Sequence, residues 1–168
     1  MAKISRARRL KNAVVLKRYG FKNPYTLLYE ADKAGISHVT AAALTEQETG
    51  TGRNVFGHDP VRNPAPKGGT VTKARYLEYK RNRKAGLGMQ GVGPLQLTWW
   101  EFQDEADRLG GCWKVRYNYR VGFHHLAALI RQHGWHEGVK RYNGSGPAAE
   151  NYRRAMKEKH TKWTKRLK

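Results

Sequence analysis

The sequence predicts a mainly α domain with at most a small β-hairpin, on three observations. Apolar residues recur at helical spacing between capping residues, which is the primary signal of amphipathic helices. Two stretches, residues 49–71 and 86–94, are so rich in glycine and proline that they read as loops. No internal repeat or heptad pattern interrupts this scheme. At 168 residues the chain is about one domain long, and its 11% of aromatic residues supply bulk for a core.

The elements follow in order. Residues 1–22 form a basic N-terminal arm or helix, with no acidic residue before Glu30. Ile4, Ala7, Leu10 and Val14 share one helical face, which is expected to pack on the domain; the same stretch also suits an anchor on an anionic surface. The main domain then spans 23–160. Asn23-Pro24 opens a helix that stops at Gly35, and Ser37 caps another that runs to about Glu48. A loop with one short strand or hairpin covers 49–71, and a polar helix covers 72–84 with Ala74, Leu77 and Tyr76 inward. Thr98-Trp99-Trp100-Glu101 reads as a capping box for a helix to about Leu109. Asn118 caps the next, which ends at Gly134; a short helix covers 135–142, and the last starts at Pro147. Residues 161–168 are expected as a basic tail.

The 33 Lys and Arg against 13 Asp and Glu give a formal charge of +20, so the partner or surface is polyanionic. A nucleic acid and an anionic bacterial envelope both fit. Against nucleic acid, no DNA- or RNA-binding signature is present and the basic residues are spread along the chain. Cys112 is the only cysteine and reads as a buried structural thiol. Residues 13–16 are too short for a secretory core, and no run approaches the ~20 apolar residues that span a bilayer. Synthesis in the cytoplasm without a signal peptide is expected.

Glu48 is the candidate acid, or else merely a polar residue in the last turn of its helix. It lies where a helix gives way to a glycine-rich loop, where a carboxyl can be half buried yet face a cleft. Burial disfavours the charged form, which a general acid for glycoside cleavage requires. The segment Leu44-Thr45-Glu46-Gln47-Glu48-Thr49-Gly50 resembles that around the catalytic acid of soluble lytic transglycosylases and goose-type lysozymes, with Thr49 in place of serine. Gly91-Val92-Gly93-Pro94-Leu95-Gln96-Leu97 is similar to the Gly-Leu-Met-Gln-Ile loop of that group, and Arg141-Tyr142-Asn143-Gly144-Ser145-Gly146 to its Tyr-Asn-x-Gly segment, followed by Tyr152. Together with Asn54–Asp59 and Gln96–Trp100, these motifs look most like the muramidase domains of endolysins from phages of actinobacteria.

The resemblance implies a lysozyme-superfamily (α+β, lysozyme-like) fold and a muramidase acting on peptidoglycan glycan strands as a monomer. It implies that Glu48 protonates the bond between N-acetylmuramic acid and N-acetylglucosamine. Gln96 and Gly93 would line the sugar cleft, and Tyr142 and Asn143 would face the acid and the sugar; Tyr142 as a core aromatic and Gln96 as a buried amide are equal readings. Asp59 is the best candidate for a base that activates water, or else a turn residue before Pro60. His58 beside it would orient the site. A lytic transglycosylase needs no second carboxylate, so hydrolysis and transglycosylation both stay open. No cofactor is expected, and His124, His125, His133 and His136 do not form a recognisable metal motif. The competing readings are a non-catalytic nucleic-acid-binding protein and a non-catalytic cell-wall-binding module.

Overall fold

The computed structural model of the chain describes residues 5–60 and 65–167. Lys3, Ile4, residues 61–64 of the first loop and Lys168 lie outside them. Seven helices make the protein mainly α: α1 Arg6–Arg18, α2 Pro24–Ala34, α3 His38–Thr49, α4 Lys73–Lys84, α5 Trp100–Leu109, α6 Val115–Asn143 and α7 Gly146–Thr164. The expected hairpin reduces to three isolated antiparallel bridges, Val55 with Thr70, Phe56 with Val92, and Val92 with Leu97. These bridges tie the two glycine-rich loops to one another.

Local chemistry explains most of the helix ends. The Ser5, Ser37 and Thr72 hydroxyls accept the N–H of Arg8, Thr40 and Arg75, satisfying donors that the first turn leaves free. Gly35 closes α2 at φ 76°, a left-handed conformation that costs a glycine nothing. Inside α6, Gly134 takes φ 77° and ψ 168°, so the helix breaks there and resumes at Trp135, as the glycine leads one to expect.

The middle of α3 is enclosed, with Ala41, Ala42, Ala43 and Leu44 all buried. The same helix also buries the polar His38, Thr40, Thr45 and Thr49. α2 and α7 flank it, α6 packs on both, and α1 lies against α2. Glu30 of α2 is fully buried and held by Arg116 and Arg120 of α6, so both of its oxygens are bonded, as a buried carboxyl group requires. A second, smaller core lies under the loops, where Phe56, Tyr76, Tyr79, Val92, Leu97 and Val121 meet.

Several local expectations are corrected. α1 docks through Asn12, Ala13 and Leu16, while Ala7, Leu10 and Val14 face solvent. The buried Asn12 side chain bonds the ring of His38 and so makes that face the specific one. α4 turns Tyr76, Tyr79 and Arg83 inward rather than Ala74 and Leu77, because the phenols reach buried partners. The capping box does not form: Trp99 is the N-cap, and the Thr98 hydroxyl donates to the Gln96 carbonyl instead. Asn118 sits within α6, one turn past its start. The C-terminal segment is no loose tail. α7 runs to Thr164, Trp163 and Leu167 are in the main core, and the Trp163 indole donates to Glu46 Oε2 at 2.7 Å.

Trp163→Ala is therefore expected to cost about 3–5 kcal/mol, the range for removing a buried large aromatic. Leu10→Ala should stay within about 0.5 kcal/mol, as surface changes do. Urea midpoints at constant slope read both values.

Candidate active site

Glu48 is in the last turn of α3, which Gly50 ends at φ 73°. The next side chain, Thr49, is buried and donates its hydroxyl to the Pro94 carbonyl at 2.9 Å. That bond fastens the helix end to the second glycine-rich loop and sets where Glu48 points. A cleft of about 680 Å³ opens over it, lined by Asp59, Gln96, Trp99, Tyr142 and Asn143 among others. A smaller recess of about 230 Å³, reaching Arg53 and His58, also has Glu48 and Gln96 in its wall. The three segments singled out in the sequence, around residues 48, 96 and 142, thus line one cleft.

The electrostatics of Glu48 follow from its surroundings. Burial pushes its carboxyl up to about 7, a hydrogen bond from the Tyr152 hydroxyl to Oε1 pulls it back, and the negative charge of Asp59 adds to the rise. At neutral pH about half of such groups hold a proton. The Tyr142 and Tyr152 phenols are both driven well above their ordinary value, by burial first and by the nearby Glu48 charge. They remain neutral hydroxyl groups. Tyr142 donates weakly to the Leu95 carbonyl, at 3.4 Å, which ties α6 to the loop beneath the cleft.

The loop that carries Gln96 is held by buried amides. Asn118 accepts the Leu95 N–H at 3.0 Å and donates to the Val92 carbonyl at 2.7 Å. Gly93 packs directly on it: a Cβ there would come within 2.3 Å of Asn118 Nδ2. Gly93 consequently lines neither the cleft nor the recess; its freedom serves the turn, not a sugar. Gln96 has a left-handed backbone at φ 48°, and its Nε2 donates to the Val55 and Gly93 carbonyls at 3.0 and 2.9 Å. Both of its amide protons are used within the protein, so Gln96 shapes the cleft wall rather than offering those donors to a ligand.

Asp59 is exposed at the cleft margin. Its backbone is placed by the buried Gln90, whose amide accepts the Asp59 N–H and donates to the Asp59 carbonyl, each at 3.3 Å. Asp59 therefore has a reason to be where it is besides the turn before Pro60. His58 is exposed, packs on Gly68 and lies in the recess, not the main cleft. Asn143, the last residue of α6, is exposed in the cleft.

Tyr152, Glu101, Trp99 and His125 complete the site beyond the residues expected to form it. Tyr152 belongs to no motif of its own but sits in the second turn of α7 against Glu48. Glu101, freed from the capping box, is a third cleft carboxylate. Trp99 is 61% exposed, a large uncovered ring in the cleft wall. His125 lies between Phe102 and Tyr142 in tilted ring contacts, and burial lowers its pKa, which favours the neutral ring. Cys112 is buried with its thiol pushed up to about 12 by burial, so it does not act as a nucleophile. Among the described residues no group of three or more His, Cys, Asp or Glu could hold a metal ion, and no helix is long and apolar enough to cross a membrane. No protein-family description, curated protein or solved structure matches the chain.

Because the folded pKa of Glu48 is raised, ionisation costs more in the folded chain than in the unfolded one. Stability is then unaffected below about pH 4.5, falls as pH rises toward 7, and stays lowered above it. Glu48→Gln should remove that cost, stabilising the protein by on the order of 2 kcal/mol at pH 8 and by little at pH 4; paired thermal melts measure it. Tyr152→Phe deletes the one hydrogen bond that favours the carboxylate, so a carboxyl NMR titration should place Glu48 higher than in the wild type.

Proposed function

We propose that this protein is a muramidase that cleaves the β-1,4 bond between N-acetylmuramic acid and N-acetylglucosamine in peptidoglycan, with Glu48 as general acid. One observation carries the reading: a carboxyl in the floor of an open cleft whose pKa is about 7. An ordinary glutamic acid has lost its proton by that pH, whereas this one can give it to a leaving-group oxygen. The likeness of segments 44–50, 91–97 and 141–146 to goose-type lysozymes and soluble lytic transglycosylases supplies the substrate class, and the convergence of those segments on one cleft supports it.

In this mechanism the glycosidic oxygen takes the Glu48 proton as the bond to the anomeric carbon breaks. The Tyr152 hydroxyl then stabilises the carboxylate that is left. Trp99 and Tyr142 offer ring faces to sugars, and Asn143 offers an amide to an N-acetyl group. The electron-poor sugar is captured in one of two ways. Water adds after losing a proton to Asp59, giving a reducing end, or the sugar's own 6-hydroxyl adds as its proton passes to the Glu48 carboxylate, giving a 1,6-anhydro end. Asp59 is favoured over Glu101 as the base, because only Asp59 raises the Glu48 pKa by its charge. The +20 charge suits an anionic bacterial wall as the place of action.

Purified protein should release muropeptides from peptidoglycan sacculi, and Glu48→Gln should reduce the rate about 100-fold or more. The wild-type rate should fall as pH rises through about 7. Release that survives Glu48→Gln, or none from wild type, refutes the assignment. Mass spectrometry of the ends separates the two products. With reducing ends, Asp59→Asn should be strongly impaired and Glu101→Gln much less so.

A further inference from the structure

The outer face of α1 is the feature that the catalytic cleft does not use. Leu10 is 46% and Val14 52% exposed, one turn apart on the side opposite the docked Asn12, Ala13 and Leu16. Ala7 extends the same strip. At 100° per residue, Arg6 and Lys17 border it on one side and Lys11 and Arg18 on the other, all four exposed. No ion pair engages any of these four among the described residues. The helix is firmly placed by its other face, so this strip is presented by a fixed scaffold.

We propose that this face docks on an anionic lipid bilayer, with Leu10 and Val14 entering the acyl boundary and the flanking cations meeting headgroup phosphates. With so narrow an apolar strip, attraction of the flanking cations to anionic headgroups supplies most of the binding, and the burial of Leu10 and Val14 adds to it. A dissolved polyanion would use the cations yet leave both apolar side chains in water. A second copy of the chain would set one basic face against another, and like charges oppose that contact. The lipid surface alone satisfies both halves of the pattern. This proposal does not depend on the catalytic assignment.

The test is co-sedimentation of the full chain with vesicles of phosphatidylglycerol and phosphatidylcholine, against phosphatidylcholine alone, with inorganic polyphosphate as a lipid-free anion. The wild type should bind the anionic vesicles and not the neutral ones. Leu10→Ser/Val14→Ser should weaken vesicle binding about tenfold while leaving polyphosphate binding unchanged. Leu10→Trp, a change at an exposed site, should strengthen vesicle binding. The proposal is overturned if the double variant binds vesicles as the wild type does, if polyphosphate binding falls in parallel, if wild type binds no anionic vesicle, or if the strip instead supports self-association.

Discussion

Taking one carboxyl group out of water is the constraint on which this structure turns. Glu48 can be buried only because α7 lies along the end of α3 and brings the Tyr152 hydroxyl to it. The same pair of helices is locked a short distance away, where Glu46 receives the Lys162 ammonium and the Trp163 indole N–H. Two acidic residues of one helical turn thus meet opposite fates. Glu46 is compensated by a cation and held in place; Glu48 has a neutral donor, the Tyr152 hydroxyl, and no ion pair among the described residues, so its pKa stays raised. A cation placed beside Glu48 would steady the charged form and lower that pKa.

The walls of the cleft obey a related rule. Side-chain amides satisfy backbone groups of the loops around it: the buried Gln90, Gln103 and Asn118 and the half-buried Gln96 each bond main-chain atoms there. An amide can donate and accept at once without bringing a charge near the acid. Carboxylates in these positions would raise the Glu48 pKa beyond a useful range, and cations would lower it. Neutral amides fix the geometry while leaving the electrostatics to burial, Tyr152 and Asp59.

Features with short-range causes were the legible ones. Ser37, Gly35, Gly50 and Gly134 mark helix ends through chemistry confined to a few residues, and their readings agree with the structure. Glu48 could be singled out because its loop context and partner segments are written locally. What depended on distant partners was misread. Asn118 has the composition of a cap, yet its side chain serves a loop more than twenty residues away. Gly93 has the freedom a ligand would need, yet Asn118 occupies the space beside it. α1 has apolar residues on two faces, and periodicity could not say that Asn12 would find His38 and so select the other one. Tyr152 was visible only as a companion to other motifs, since nothing local says that a tyrosine on α7 meets a glutamate 104 residues earlier.

The excess positive charge sharpens the significance of the Glu48 environment. A chain with 33 basic and 13 acidic residues carries a net positive field, and a positive field opposes the proton on a carboxyl such as Glu48. Most of that charge is on exposed side chains, where water and salt screen it within about 10 Å. Burial acts on Glu48 directly and is not screened. The local cost of desolvation therefore prevails over the global charge, and the protein can be strongly attracted to an anionic surface without stripping the proton from its cleft. The two properties coexist because they work at different distances: the field acts across the solvent around the protein, and desolvation acts within the few ångströms between Glu48, Tyr152 and the end of α3.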